Sequence, residues 1–392
     1  MSALRRAFGL GATFAAALNG TMVMPLVVMA LTRVGGVDEA TATAIAAAEL
    51  AGIAIYGLLL SGAARRARRR TAGLGLLALC GGELASHAFS GIAALSLARL
   101  LAGLGEGALF SLICANVAGE AQAERIWGQV NLVGGLVMGL LLYGLSQLPV
   151  GAGRGPIFLV LALMGVLVAP AALRLAPRVR TAAESVPVGL PSADKWLLWF
   201  IVTLAYGVQA GQWAVSGYLA EQSHLPVDRA GEYLALSSIL GFAGAVAPSL
   251  ARRASQRLGF VLLGFAVMAV SMLVFFNWLG DAPFFLGQVG VNVGFYMLTP
   301  FIVGLLTEND GDGSLVMRTL VIALFGSAFG TAVAGAVFTQ AGPGTFSALC
   351  VGLIALCAVA AVRVMTRIQR RGAAARVDIS SAGLIPSTGD HP

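Results

Sequence analysis

Charged side chains are scarce in this sequence. Asp, Glu, Lys and Arg make up 11% of its 392 residues, whereas hydrophobic residues make up 58% and the mean hydropathy is +0.86. Water-soluble domains carry about 25% charged residues, so a chain this poor in charge does not cover its apolar surface in a soluble core. We conclude that lipid is its solvent, and we predict an all-α integral membrane protein.

Acidic residues are the scarcer of the two charged classes, which leaves a formal net charge of +7. This excess does not indicate a nucleic-acid partner, because nearly all the arginines lie between apolar runs and report membrane topology. The four cysteines lie inside apolar runs without a Cys-x-x-Cys pair, which predicts neither disulfides nor a metal site. The sequence also lacks a P-loop, a His-Glu-x-x-His helix, a Gly-x-Ser-x-Gly elbow and a dinucleotide fingerprint. We therefore expect no cofactor.

Twelve apolar runs are long enough to cross a bilayer, which takes about 20 residues of α-helix. We number them spans 1 to 12, near 8–31, 40–62, 71–89, 92–117, 126–148, 156–176, 196–220, 230–250, 258–280, 283–306, 315–339 and 345–366. The first run continues past Asn19 to Leu31 without a convincing cleavage site, so we interpret it as a retained span and not as a signal peptide.

The basic residues predict the orientation of these spans. Twelve spans place both termini on one side, and that side carries 21 of the Lys and Arg residues, against three (Arg33, Arg154 and Arg229) on the other. The positive-inside rule makes the first side cytoplasmic. The composition, rich in Ala, Arg and Gly, favours a bacterial inner membrane as the location.

A polar segment at 177–195 divides six spans from six and is interpreted as a cytoplasmic linker. It separates an N-terminal half (1–176) from a C-terminal half (196–366), and we expect the tail (367–392) to be disordered. The pattern Ala-Arg-Arg-Ala-x-x-Arg occurs at 64–70 and again at 251–257, which is 187 residues later. Two pairs of glycines keep the same displacement, Gly103 and Gly107 followed by Gly290 and Gly294. We interpret the chain as one six-span module written twice.

Two pseudo-symmetric six-helix halves joined by a polar linker resemble the major facilitator superfamily. Span 4 also matches, because residues 99–107 (Arg-Leu-Leu-Ala-Gly-Leu-Gly-Glu-Gly) have that family's basic residue followed by spaced glycines. The loop after span 2 has the family's arginines but no Asp, and span 5 lacks the proline of many drug/proton antiporters. The resemblance implies a central cavity lined by spans 1, 4, 7 and 10, with help from spans 2, 5, 8 and 11, and substrate held near the bilayer midplane.

Ionisable residues deep in these spans are candidates for function, because a charge at the centre of a membrane helix is costly. Arg99 in span 4 is interpreted as organising the cavity, by pairing with a carboxylate or by holding an anionic group; a structural pin between spans is the alternative. Glu106 in span 4 and Glu49 in span 2 are candidate proton carriers. Glu106 lies two turns from Arg99, too far for a direct pair within one helix. Glu83 and His87 of span 3 predict a local hydrogen-bonded pair, with Glu83 a partner for Arg99; a proton relay through His87 is the alternative.

Neutral polar side chains supply the candidates for solute binding. They are Asn19 in span 1, Gln209, Gln212 and Trp213 in span 7, and Gln288, Asn292 and Tyr296 in span 10. The span 10 residues recur every four positions and form one stripe. Amides beside aromatic rings suit an organic solute, and hydrogen bonding between helices is the alternative. Around Asn19, the neighbouring Gly20 and Thr21 with Pro25 one turn later predict a local break in span 1.

These features together imply a secondary transporter that moves a small organic solute by alternating access, coupled to protons through Glu49 or Glu106 with Arg99. The span 4 pattern favours export and the missing span 5 proline argues against it. We expect a monomer with the solute, protons and the lipid bilayer as partners. A membrane sensor or receptor on the same fold is the alternative. An integral-membrane enzyme is disfavoured, because no cluster of His, Cys or Asp lies at a predicted membrane face.

Overall fold

The computed structural model describes residues 3–33, 35–37, 39–60, 63, 68–118, 120, 122–148, 153–175, 190–251, 253, 255–310 and 314–381. Within these ranges the chain is almost entirely helical and contains no β-strand. An apolar chain in lipid folds into helices because every backbone N–H and C=O needs a partner within the protein. Most of the predicted linker (176–189), the arginines at 64–67 and the last residues of the tail (382–392) lie outside the described residues.

All twelve predicted runs coincide with helix. The helices are α1 Ala3–Ala17 and α2 Asn19–Arg33 in span 1; α3 Glu39–Ile55, continued by one π-helical turn Tyr56–Leu60, in span 2; α4 Arg68–Ala88 in span 3; α5 Ile92–Val117 in span 4; α6 Ala123–Ser146 in span 5; α7 Gly155–Arg174 in span 6; α8 Ser192–Gln222 in span 7; α9 Val227–Gly241, a 3-10 turn Phe242–Val246 and α10 Ala247–Leu250 in span 8; α11 Gln256–Asn277 in span 9; α12 Asp281–Glu308 in span 10; and α13 Ser314–Ser381 in spans 11 and 12.

Eight of these described helical segments are long and apolar enough to cross a membrane by themselves, and they correspond to spans 4, 5, 6, 8, 9, 10, 11 and 12. Spans 1 and 2 are helical but interrupted, at Leu18 and at the π-helical turn. The all-α membrane fold is therefore confirmed, and the count of twelve spans is consistent with the structure.

Spans 11 and 12 are separated within α13 by a break at Gly342. Its backbone has φ +81° and ψ 167°, a conformation that favours glycine, and Pro343 follows. Beyond span 12 the helix continues to Ser381, so the prediction of disorder is wrong for residues 367–381. Arg371 explains part of this order, because it forms an ion pair with Asp194, a buried carboxylate at the start of α8. Composition alone gave no sign of this tertiary contact.

The apolar core is divided along the chain. One large cluster of buried side chains contains only residues from Leu190 onward. The other two contain residues up to Leu175, joined by Phe242, Val316 and Met317 from the second half. Tyr296 packs against both large clusters and therefore lies where the halves meet.

The packing of the helices reveals the register of the internal repeat. A Cβ added to Gly105 would collide with the carbonyl of Gly75, so spans 4 and 3 touch backbone to backbone there. Gly294 makes the same close approach to Gly264 between spans 10 and 9. Gly264 and Gly294 lie 189 positions after Gly75 and Gly105, respectively.

A second contact gives the same register. In the first half, Gly107 of span 4 packs against Ile53 of span 2. In the second half, the rings of Tyr296 in span 10 and Phe242 in span 8 lie 4.1 Å apart between centroids. Tyr296 and Phe242 again lie 189 positions after Gly107 and Ile53.

The predicted displacement of 187 residues is therefore wrong by two positions. In the packing register Gly103 is equivalent to Asn292, and not to Gly290. The pairs of glycines at the predicted displacement are a coincidence in a chain with 51 glycines. The inference of a module written twice stands, because it now rests on helix contacts.

Candidate functional site

A buried ion-pair cluster lies inside the first half. Arg99 has no exposed area, and its Nη1 donates to Oε2 of Glu83 at 2.7 Å. Its Nη2 donates to Oε1 of Glu49. Both carboxylates are buried, at 0% and 2% exposure. Arg99 therefore joins span 4 to spans 2 and 3, and the pairing with Glu83 predicted from the sequence is present.

Small residues allow these three spans to come close enough for the ion pairs. A Cβ at Gly103 would overlap the backbone carbonyl of Glu49, and one at Gly82 would collide with the span 4 backbone at Ala98 and Ala102. Helices approach this closely only where one side chain is absent.

Span 6 also contacts the cluster, which the sequence did not predict. The guanidinium carbon of Arg99 lies 5.1 Å from the centroid of the Phe158 ring. A cation is attracted to the face of an aromatic ring within about 6 Å. Phe158 is itself fully buried, so it also separates Arg99 from lipid.

Glu106, two turns along span 4, is a third buried carboxylate. Its Oε1 accepts a hydrogen bond from the backbone N–H of Gly20 at 3.0 Å, while its Oε2 has no hydrogen-bond partner among the described residues. Gly20 also touches Glu49, because a Cβ at Gly20 would overlap that carboxylate. The carboxylates of Glu49 and Glu106 thus meet at one glycine of span 1.

The cluster has more acids than bases. It contains three carboxylates, Glu49, Glu83 and Glu106, and one guanidinium, Arg99, so full ionisation would leave a formal charge of −2. Uncompensated charge is costly where water is excluded. Two bound protons would make the cluster neutral, so this arrangement has the chemistry to bind and release protons.

Two hydrogen-bonded pairs of amides join spans 7 and 10 in the second half. Nε2 of Gln209 donates to Oδ1 of Asn292 at 2.9 Å, and Nε2 of Gln212 donates to Oε1 of Gln288 at 2.5 Å. Three further polar atoms, Oε1 of Gln212, Nε2 of Gln288 and Nδ2 of Asn292, are buried without a partner in the described structure. These amides form the contacts between helices that the sequence left as the alternative to solute binding.

The amide pairs occupy the repeat positions of the charged cluster. Gln288 lies 189 positions after Arg99, and Gln209 lies 189 positions after Gly20. The same backbone packing therefore supports a charged site in one half and a neutral site in the other. This correspondence needs the corrected register.

The candidate binding residues differ in exposure. Gln209, Trp213 and Tyr296 are half-buried, whereas Gln212 and Gln288 have no exposed area. Tyr296 stacks on Phe242 where the two halves meet. The half-buried residues are the ones that a solute between the halves would reach.

Span 1 is interrupted close to the predicted position. Helix α1 ends at Ala17 and α2 begins at Asn19, with Leu18 between them. Asn19 has no exposed area, and neither polar atom of its amide has a hydrogen-bond partner in the described structure. Asn19 therefore does not line an open cavity in this conformation.

His87 lies apart from the charged cluster. Its Nδ1 is 3.3 Å from the carbonyl oxygen of Gly155, and its side chain is exposed. Glu83 bonds to Arg99 instead, so the predicted local pair of Glu83 and His87 is wrong. The sequence fixed only their spacing along the helix, and the tertiary partner of Glu83 lies on another span.

A family model described as Major Facilitator Superfamily matches residues 9–311. The chain belongs to the major facilitator superfamily. The sequence matches none of the curated proteins with which it was compared.

Solved structures of transporters share this fold. The human organic anion transporter MFSD10 (TETRAN) has a TM-score of 0.75 and 15% identity, covering 92% of this chain and 100% of that one. A bacterial homologue of the iron transporter ferroportin, in an outward-facing state, has a TM-score of 0.65 and 15% identity over 93% and 99% of the two chains. A variant of the E. coli fucose:proton symporter FucP has a TM-score of 0.66 and 15% identity over 92% and 97%. At these identities the likeness shows the fold alone.

In this member of the superfamily, charged and polar contacts join the two halves at the face predicted to be cytoplasmic. Nη2 of Arg257 at the start of span 9 lies 2.8 Å from Glu124 of span 5 and 2.7 Å from Glu308 at the end of span 10. Close by, Nε1 of Trp127 donates to Oγ1 of Thr307 at 2.8 Å. The sequence analysis did not single out these residues, although the arginine at 257 belongs to the repeated basic pattern. We call them the inter-half network.

Proposed function

We propose that this membrane transporter moves a small organic solute across the bacterial inner membrane by alternating access, coupled to protons, with export as the favoured direction. The observation that carries the proposal is the buried cluster in which one guanidinium faces three carboxylates. A structural ion pair needs only as many acids as bases. An excess of buried acids suits a site whose proton content changes.

Proton coupling follows from the cost of burying charge. With two protons bound, the cluster is neutral and stable away from water. Loss of a proton leaves a net charge in a medium of low dielectric constant, and that state is relieved when the helices move and admit water. Glu49 and Glu106 are the proposed carriers, because each touches Gly20 of span 1 as well as the cluster.

Solute binding is proposed for the half-buried residues of spans 7 and 10. Gln209 offers a polar group, and Trp213 and Tyr296 offer ring surfaces. The fully buried pair of Gln212 and Gln288 is proposed to hold the two spans together and to bind solute only if it opens.

Alternating access is supported by the inter-half network. Its ion pair between Glu124 and Arg257, with the hydrogen bond between Trp127 and Thr307, fastens the halves together at the predicted cytoplasmic face. Opening of that face requires these contacts to break. The structure is therefore proposed to represent a state closed to the cytoplasm.

The similar structures support the coupling more than the solute. One of them is named a fucose:proton symporter, so this fold accommodates proton coupling. The others are named for organic anions and for iron, which are unlike fucose. Their substrates therefore give no common solute to carry over to this chain.

The test compares solutes inside and outside cells that express the wild-type protein or Arg99→Ala. A compound depleted from wild-type cells and enriched in the medium identifies an exported solute, and accumulation inside the cells identifies import. The matched control is Arg229→Ala, which removes an exposed ion pair to Asp281 away from the cluster. Once a solute is known, dissipating the proton gradient should abolish its uphill movement. Ligand binding without flux would favour the sensor, and unchanged uphill flux would remove protons from the mechanism.

A further inference from the structure

The interruption of span 1 lies one residue from an unsatisfied polar group. Leu18 separates α1 from α2, and the amide of Asn19 is fully buried with no hydrogen-bond partner in the described structure. Buried amides are nearly always hydrogen-bonded, so an orphaned one requires an explanation. A second arrangement of span 1, in which Asn19 gains a partner, would supply one.

Gly20 joins this interruption to the carboxylate cluster. Its N–H donates to Glu106, and its Cα lies against the Glu49 carboxylate so closely that any side chain would overlap it. No other described residue of span 1 is recorded with a hydrogen bond to either acid. The start of α2 is therefore held by the two proposed proton carriers.

The strength of this hold depends on charge. An N–H donates more strongly to an ionised carboxylate than to a neutral carboxyl group. The ionisable groups around Glu106 are Glu49 from span 2, Glu83 from span 3 and Arg99 from its own span. Proton uptake by Glu106 weakens its bond to Gly20, whereas proton release strengthens it.

The second half lacks such a device. Gln209, at the repeat position of Gly20, bonds to the neutral amide of Asn292, and that bond does not change with pH. We propose that Gly20 is a positioning residue that transmits the protonation of Glu106 and Glu49 to the broken helix of span 1. The proposal rests on the proton-coupled function, and it assigns the moving element to span 1.

A reporter cysteine at Met24→Cys tests the proposal without knowledge of the solute. Met24 is half-buried and lies one turn after Gly20 on α2. The four native cysteines are replaced by alanine, and thiol labelling is followed over a pH series, normalised at each pH to the unfolded chain. We expect labelling about tenfold faster at acidic than at alkaline pH, which corresponds to about 1.4 kcal/mol.

The variants separate positioning from structure. Glu106→Gln keeps an acceptor for the Gly20 N–H but cannot titrate, so the pH dependence should disappear. Gly20→Ala should also remove it, because the methyl group displaces the Glu49 carboxylate. Gly9→Ala is the matched control in the same span, since its Cβ would come no closer than 3.9 Å to its nearest neighbour, Leu175, and it should behave as the wild type.

Two failures are distinguishable. Labelling that is independent of pH in the wild type, or that keeps its pH dependence in Glu106→Gln, would overturn the role of Gly20 even if solute flux follows the proton gradient. Solute flux that ignores the proton gradient would instead overturn the proposed coupling, whatever the labelling shows. Should Gly20→Ala fail to fold, Glu106→Gln alone decides the positioning role.

Discussion

Replacing Glu124 by methionine tests whether the inter-half network holds the predicted cytoplasmic face closed. Glu308 lies in the same half as Arg257, so their ion pair persists when the halves separate. Glu124 lies in the other half, and only its bond to Arg257 is lost on opening. Methionine is close to glutamate in size, which matters because Gly304 packs directly against Glu124.

The expected shift follows from the environment of the pair. The side chains of Glu124 and Arg257 are 8% and 17% exposed, so solvent screens them only in part. A hydrogen bond to a charged group contributes about 1.5–3 kcal/mol. Because about 1.4 kcal/mol changes an equilibrium tenfold, the open fraction should rise roughly 10- to 150-fold.

Thiol labelling measures that fraction. Thr307→Cys places a reporter at a fully buried position that faces Trp127 across the two halves. Labelling is applied from the predicted cytoplasmic face, in a chain without the native cysteines. Glu124→Met should accelerate the reaction by the factor above.

The control is Glu308→Met, which removes a partner of Arg257 from the same half and should leave labelling unchanged or slower. Equal acceleration by both substitutions would show that general loosening explains the effect. No acceleration by Glu124→Met would refute the reasoning that this pair closes the face.

Three other predictions concern the buried polar groups. Arg99→Ala leaves two buried carboxylates without their partner, so it should destabilise the protein by about 3–5 kcal/mol, measured by unfolding in detergent, as well as impair flux. Glu49→Gln and Glu106→Gln should each abolish uphill transport while downhill exchange persists; full activity of both against a gradient would remove these acids from the coupling. Gln212→Leu or Gln288→Leu alone should cost about 1–3 kcal/mol because one buried amide is left unpaired, and the double variant should cost less than the two single ones together in a double-mutant cycle.

The helices were predictable because lipid leaves an apolar chain few other structures. Span 4 was placed at 92–117, and its helix runs from Ile92 to Val117. Local composition failed at the tail, where the ion pair of Arg371 with Asp194 supports a helix that the sequence predicted to be disordered. A contact between residues so far apart in the chain leaves no local pattern.

The members of the charged cluster were predictable, but its geometry was not. Arg99, Glu49, Glu83 and Glu106 were singled out because ionisable residues are rare inside spans. Which acids pair with Arg99 depends on the rotation and depth of each helix, and one sequence does not contain that information. Gly20 was noted only as part of a break, since nothing in its local sequence shows that two carboxylates meet there.

The corrected register explains how one fold provides two kinds of site. Helix packing fixes the backbone, and glycines at equivalent contacts keep both halves alike, but the side chains inside are free to differ. Arg99 and Gln288 occupy equivalent positions, so a change in proton content alters the electrostatic energy of the first half only. On the proposed mechanism the neutral half is the constant reference, and each proton moves span 1 relative to it. The bond between Glu124 and Arg257 joins the changing half to the constant one, which is why that bond, and not the pair within the second half, should respond to the cycle.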